Sequence, residues 1–194
     1  MKKFLIYAIF FEISLAGLGV LLSWLLKGRF FLFTLSGFSL ELLGSSVLWT
    51  LPLCFLALLT LSPWQLKWSL IKKMEEKIDQ TIGVYLVRCR VWQIFVLSLA
   101  AGVGEEFLFR GTIQELFGIT FASVLFGVAH ALTWFYALVA GLMGSYFGVL
   151  YLKTDSIWGP VIVHALYDFC AILIYRLNVA QKEKQKKREF LNDL

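Results

Sequence analysis

Apolar residues fall along this chain in long blocks separated by short polar breaks, and the block lengths give the first prediction. The first block runs from about Phe4 to Leu26, with Glu12 as its one charge. Lys27-Gly28-Arg29 interrupts it, and an apolar stretch punctuated by Ser and Gly leads to Glu41. The second block, about Leu42 to Leu61, contains Pro52, a kink signal, and is closed by Ser62-Pro63-Trp64. The pattern then changes period. From about Gln65 to Arg90, Ile71, Met74, Ile78, Ile82 and Tyr85 recur at helical spacing, with Lys72, Lys73, Glu75, Glu76 and Asp79 between them. That predicts an amphipathic helix on a membrane surface, as an interfacial connector or as a recruiter of a partner. Further apolar blocks follow at about Val91–Phe117, Ile119–Trp134, Phe135–Leu152 and Ile157–Leu177, with Lys153-Thr154-Asp155-Ser156 as a loop before the last. Most approach the ~20 residues that cross a bilayer. The predicted fold is all-α: a polytopic membrane bundle of about six transmembrane helices plus the interfacial helix.

Composition strengthens this picture. Hydrophobic residues make up 59 % of 194 residues and the mean hydropathy is +0.77, above the roughly 45–50 % apolar content of soluble domains. The expected organisation is one membrane domain over residues 1–178, with its chemistry in about 91–177, and a basic polar tail over 179–194. Lys2 and Lys3 before an apolar run resemble a signal peptide, but no small-residue cleavage site follows, so a retained first helix is expected. Six spans put both chain ends on one side, together with the Lys67–Arg90 and Lys182–Arg188 clusters; only Lys27, Arg29 and Lys153 fall opposite. The positive-inside rule makes the first side cytoplasmic, in a cell membrane. Trp64 and Trp68 suit the headgroup level. The net charge of +5 fits contact with an anionic leaflet, and no aromatic-basic stripe or Gly-rich phosphate loop points to nucleic acid. Cys54, Cys89 and Cys170 are odd in number and irregular in spacing, so neither a disulfide framework nor a thiolate metal site is implied. Gly141, Gly144 and Gly148 read as a packing face, within the chain or between copies.

Charges inside the apolar blocks carry the chemistry, because an intramembrane ionisable group is costly and by default marks a function. Glu105-Glu106-Phe107-Leu108-Phe109-Arg110 is the densest such cluster. Glu106 and Arg110 are four apart and can pair, whereas Glu105 is rotated by about 100° and can face elsewhere. Both histidines of the chain also lie in apolar blocks, in Phe126-x-x-x-His130 and His164-x-x-x-Asp168. His164 and Asp168 share one helix face. At 1.5 Å per residue, Glu105 lies about 20 Å from the start of its block, His130 about 16 Å and His164 about 10 Å from the opposite face, so all can meet within a ~30 Å core. Such a set fits an acid/base site, a metal site or a proton relay. Glu12 reads as facing neighbouring helices or an interface rather than as catalytic.

Glu105-Glu106…Arg110, Phe126…His130 and His164…Asp168, in that order and spacing, with Gly111 continuing the first motif, resemble the signature of the CPBP intramembrane proteases. That group includes the type II CAAX prenyl endopeptidases and bacterial Abi proteins of bacteriocin processing or self-immunity. The resemblance covers about Leu97 to Asp168. It implies peptide-bond hydrolysis, with Glu105 as the general base on water, His130 holding that water or sharing its proton, and His164 and Asp168 stabilising the oxyanion. Glu106 and Arg110 would fix the helix and tune Glu105, and Phe126 belongs to the second motif. The eukaryotic branch of that family usually has Asn at the last motif position, where this chain has Asp168. An ionised Asp168 cannot donate a hydrogen bond to an oxyanion, so it is protonated, orients His164, or helps bind a metal. The expectation is a glutamate-dependent enzyme with no cofactor; the alternative is Zn²⁺ on Glu105, His130, His164 and Asp168, a metalloprotease. Expected partners are the bilayer and a peptide or membrane-protein substrate, with a prenylated tail, a bacteriocin leader, a signalling peptide or the end of another membrane protein all compatible. Two other classes compete with the peptidase: a non-enzymatic scaffold or immunity protein, and a proton-coupled transporter.

Overall fold

The computed structural model describes residues 2–28, 37–59 and 69–192. Among them there is no strand, and five helical runs are long and apolar enough to cross a membrane. α1 (Lys2–Lys27) and α2 (Leu40–Leu59) match the first two apolar blocks, and Pro52 sits inside α2. α3 (Ser69–Ile78), a wide π turn at Asp79–Gly83 and α4 (Val84–Arg88) form the expected amphipathic segment. Arg29, Ser62-Pro63-Trp64 and Trp68 lie outside the described residues.

The predicted third and fourth spans merge into one run, Val91–Ala129. It comprises α5 (Val91–Leu108), a second π turn at Phe109–Gln114, and α6 (Glu115–Ala129). Counted as one run it leaves five, although the helix breaks inside it. The expected boundary survives as a break at Gly118, whose φ of 83° and ψ of 165° are non-helical. Such a conformation suits glycine because it has no Cβ. The run therefore folds back on itself at Gly118, and α6 and α7 (Trp134–Thr154) lie side by side as a hairpin. Thr133 caps α7 by accepting the Tyr136 N–H at 3.1 Å, so Trp134, expected in the fourth span, instead opens the fifth. α7 ends at Asp155, in a left-handed conformation (φ 48°). α8 (Trp158–Asn192) has Pro160 in its first turn, where a missing N–H is tolerated. It runs on as a helix through the basic tail.

Side-chain contacts fix which ends of the helices lie together. At one end, Phe4 stacks on Tyr85, Glu75 accepts from Lys182 at 2.7 Å, and Asp79 accepts from the Tyr175 hydroxyl. At the other end, Lys27 pairs with Glu115, Tyr151 donates to Glu115, and Ser156 Oγ donates to the Gly37 carbonyl. The start of α1 and the basic end of α8 thus share the end that holds α3 and α4. The amphipathic segment is tied to α8 rather than only resting on a surface. Gly144 and Gly148 face inward within the chain: a Cβ at Gly144 would lie 3.3 Å from the Ser123 Cα, and one at Gly148 2.6 Å from Gln114 Oε1. Cys89 is 2 % exposed at the turn before α5, and burial pushes its thiol above its ordinary value.

The core contains Leu108, Phe109, Phe126, Phe147, Leu150 and Val163, from α5 through α8. Exposed Phe10, Phe11, Ile13, Leu48, Phe55, Val124 and Leu142 cover the outside. In a bilayer, lipid chains solvate such an apolar exterior while the helices satisfy their own backbone. Gly118→Ala is expected to destabilise by about 1–3 kcal/mol, the cost of forcing a Cβ into this backbone region. Gly17→Ala, in mid-helix with open space around it, is expected to be neutral or mildly stabilising. Thermal unfolding in one detergent compares the two.

Candidate active site

The sequence-predicted residues reach the middle of the bundle from separate elements: Glu105 and Glu106 from α5, Arg110 from the π turn, His130 from the residue that ends α6, and His164 and Asp168 from α8. Glu106 and Arg110 are both fully buried, with Arg110 Nε 3.1 Å from Glu106 Oε2. Arg110 Nη2 donates to the Gly144 carbonyl at 2.7 Å. The other oxygen of Glu106, Oε1, lies 2.8 Å from His164 Nδ1. Glu106 is thus a bridge between the guanidinium and an imidazole, not only the partner of Arg110 expected from i,i+4 spacing. An ionised carboxylate only accepts, so His164 Nδ1 carries the hydrogen in this contact.

Around Glu105 three groups converge. Its Oε2 is 3.4 Å from His130 Nε2 and 3.9 Å from His164 Nε2, and Asp168 Oδ2 lies 3.5 Å from the same His164 nitrogen. His130 Nδ1 contacts the Phe126 carbonyl at 2.9 Å. A carbonyl only accepts, so Nδ1 holds the hydrogen, and Nε2 of the neutral ring is left as an acceptor facing Glu105. Glu105 Oε2 is buried and makes no hydrogen bond of normal geometry among the described residues. Two acceptors facing each other need a shared proton or a donor between them, and a water molecule supplies two O–H groups. Glu105 is 9 % exposed, whereas the side chains of His130 and Asp168 keep 26 % and 29 %, so access runs past those two.

Aromatic rings hold the charged groups apart and in register. Phe126 stacks on His130 with centroids 4.4 Å apart, and its ring also lies 4.7 Å from the Arg110 guanidinium carbon. Phe147 stacks on His164 at 4.8 Å and lies 5.6 Å from the same guanidinium. Each ring therefore serves as a spacer between Arg110 and one imidazole, with attraction to the guanidinium across its face. This gives the Phe-x-x-x-His motif a physical reason. Phe147 carried no motif signal, and only its fold neighbours reveal it. The π turn was equally invisible in the sequence. It directs polar side chains onto two other helices: Thr112 Oγ1 donates to the Gly19 carbonyl of α1 at 2.8 Å, and Gln114 Nε2 to the Gly148 carbonyl of α7 at 3.0 Å. Wide turns of this kind are frequent at functional sites.

Zinc sites require several ligands converging on one point. Among the described residues, no group of three or more His, Cys, Asp or Glu is arranged to hold a metal ion. Glu105, His130, His164 and Asp168, the set expected for Zn²⁺, contact one another as carboxylate–imidazole pairs at 3.4–3.9 Å.

Removing one member of the buried pair is expected to cost more than removing both. Arg110→Ala strands the Glu106 charge and should destabilise by about 3–5 kcal/mol, while the double variant Glu106→Gln/Arg110→Met should recover much of that loss. Denaturation in detergent micelles checks the order.

Residues 88–170, which span every motif residue from Glu105 to Asp168, match the family model described as type II CAAX prenyl endopeptidase Rce1-like. The chain is also 26 % identical over 141 residues to a Bacillus subtilis (strain 168) protein described as "Putative membrane peptidase YdiL", covering 68 % of this chain and 57 % of that protein. The match thus spans little more than half the length of that relative. No solved structure matches the chain.

Proposed function

We propose, on the premise that residues 88–170 of this chain belong to the Rce1-like family of membrane proteases, that the protein is a glutamate-dependent intramembrane endopeptidase. The observation that carries this reading is the convergence of Glu105 Oε2 with the Nε2 atoms of His130 and His164, at 3.4 and 3.9 Å, from three separate parts of the chain. Glu105 and His130 present facing acceptors, an arrangement suited to binding one water by both of its hydrogens. Glu105 takes a proton from that water as its oxygen attacks the scissile carbonyl carbon. His164 has acceptors at both ring nitrogens, so it can donate from Nε2 to the carbonyl oxygen as it becomes negative. Glu106, anchored by Arg110, fixes the orientation of that ring. Asp168 supports His164 from the exposed side rather than donating to the oxyanion itself. The tetrahedral carbon then expels the amine, which leaves with the proton that Glu105 holds. The C–N bond breaks, and one acid and one amine product remain.

The substrate is a membrane-associated peptide or protein, since the site lies within the apolar bundle and opens beside His130 and Asp168. The membrane is a cell membrane, and the two ends of the chain lie on its cytoplasmic side. Support for that orientation comes from Lys2, Lys3 and the Lys182–Arg188 cluster, which gather at one end of the bundle.

Glu105→Gln keeps shape and burial but cannot accept a proton. Cleavage of a membrane peptide library by the purified protein should fall about 10²–10⁴-fold, the usual contribution of a general base, with unfolding temperature nearly unchanged. A chelator should leave wild-type cleavage intact. Cleavage by Glu105→Gln at the wild-type rate would reject the assignment.

A further inference from the structure

Glu12 is the acidic side chain that this mechanism leaves unused. It lies in α1, more than ninety residues before the first motif by the numbering of the chain. α1 packs on α5 so closely at this point that a Cβ on Gly104 would collide with the Glu12 backbone carbonyl and lie 3.0 Å from Glu12 Oε2. Gly104 is the residue before Glu105. The approach is fixed one turn pair further along α1, where the Gly19 carbonyl accepts from Thr112. Glu12 thereby comes within electrostatic reach of Glu105, His130, His164 and Asp168. It sits on the boundary of the site: its neighbours Phe11 and Ile13 are 59 % and 61 % exposed on the outer surface, while its own Oε2 is buried.

Every other carboxylate at this site has a basic partner. Glu105 faces His130, Glu106 holds Arg110 and His164, and Asp168 faces His164. Glu12 Oε2 has no hydrogen-bond partner among the described residues, and no ion pair includes Glu12. Arg110, the one guanidinium at the site among the described residues, is engaged by Glu106 and the Gly144 carbonyl. A carboxylate in an apolar bundle is costly unless a donor or a cation meets it. The described residues do not provide one here, and the group that arrives at this site is the substrate.

We propose that Glu12 is a specificity-determining residue: its carboxylate receives a basic side chain, Lys or Arg, located near the scissile bond of the substrate. This rests on the peptidase reading above and goes beyond it by naming a chemical class. Glu12 lies beside the residue before Glu105, so the cation binds there while the carbonyl is delivered to the water. The contact forms in the ground state as well as in the transition state, and its loss therefore appears in KM rather than in kcat.

The test uses the full-length protein in liposomes and a library of apolar peptides with one randomised polar position. Wild type is expected to release products enriched in Lys or Arg at a fixed distance from the cut. On one such peptide, exchanging Lys for norleucine should raise KM about 10–100-fold, the range for a hydrogen bond between charged groups, with kcat within a few-fold. Glu12→Gln should show the same rise on the Lys peptide and no discrimination between Lys and norleucine, while Glu12→Asp restores part of it. The norleucine arm needs no variant, so it stands even where Glu12→Gln folds poorly. Cleavage by wild type without basic preference overturns the role of Glu12 and leaves the peptidase reading intact. A uniform fall in kcat for Glu12→Gln on all peptides also overturns it, since that marks a support for Glu105 instead. No cleavage by wild type overturns both.

Discussion

The ion pair between Glu106 and Arg110 is the constraint on which the rest of the site depends. Both groups are fully out of contact with solvent, and a charge of either sign alone at that depth would be untenable. Each member of the pair also has a partner beyond it. Glu106 turns its second oxygen to His164, and Arg110 turns a second nitrogen to the Gly144 carbonyl, so one carboxylate and one guanidinium join α5, the π turn, α7 and α8. Phe126 and Phe147 fill the space between that guanidinium and the two imidazoles. The geometry of the groups around Glu105 follows from this anchor. With its Nδ1 held by Glu106, His164 can present only Nε2 to Glu105 and Asp168.

The same economy explains the wide turn after Leu108. A regular α-helix would distribute Arg110, Thr112 and Gln114 around its axis at 100° per residue. The π turn lets them reach α1 and α7, and the bonds to the Gly19 and Gly148 carbonyls compensate for its poorer internal geometry. α1 is thus drawn against α5 next to Glu105. This makes α1 part of the site, although its sequence resembles an ordinary apolar span. The apolar exterior of α1 and the buried oxygen of Glu12 are two sides of the same helix, one turned outward and one turned toward Gly104 of α5.

The length and spacing of apolar blocks determined the fold class by themselves, because a bilayer excludes structures that leave backbone groups unpaired and each crossing needs a minimum length. The i,i+4 pairs were legible for a similar reason: helical periodicity alone puts Glu106 beside Arg110 and His164 beside Asp168. Periodicity has no term for a π turn, although the boundary it set between the third and fourth spans falls at Gly118, where the helix breaks. It has none for partners between helices either. That Glu106 serves His164, that Phe147 lies under its ring, and that Glu12 comes beside Gly104 were decided by tertiary structure. These contacts join residues distant in sequence, and only the packing of whole helices fixes which faces meet.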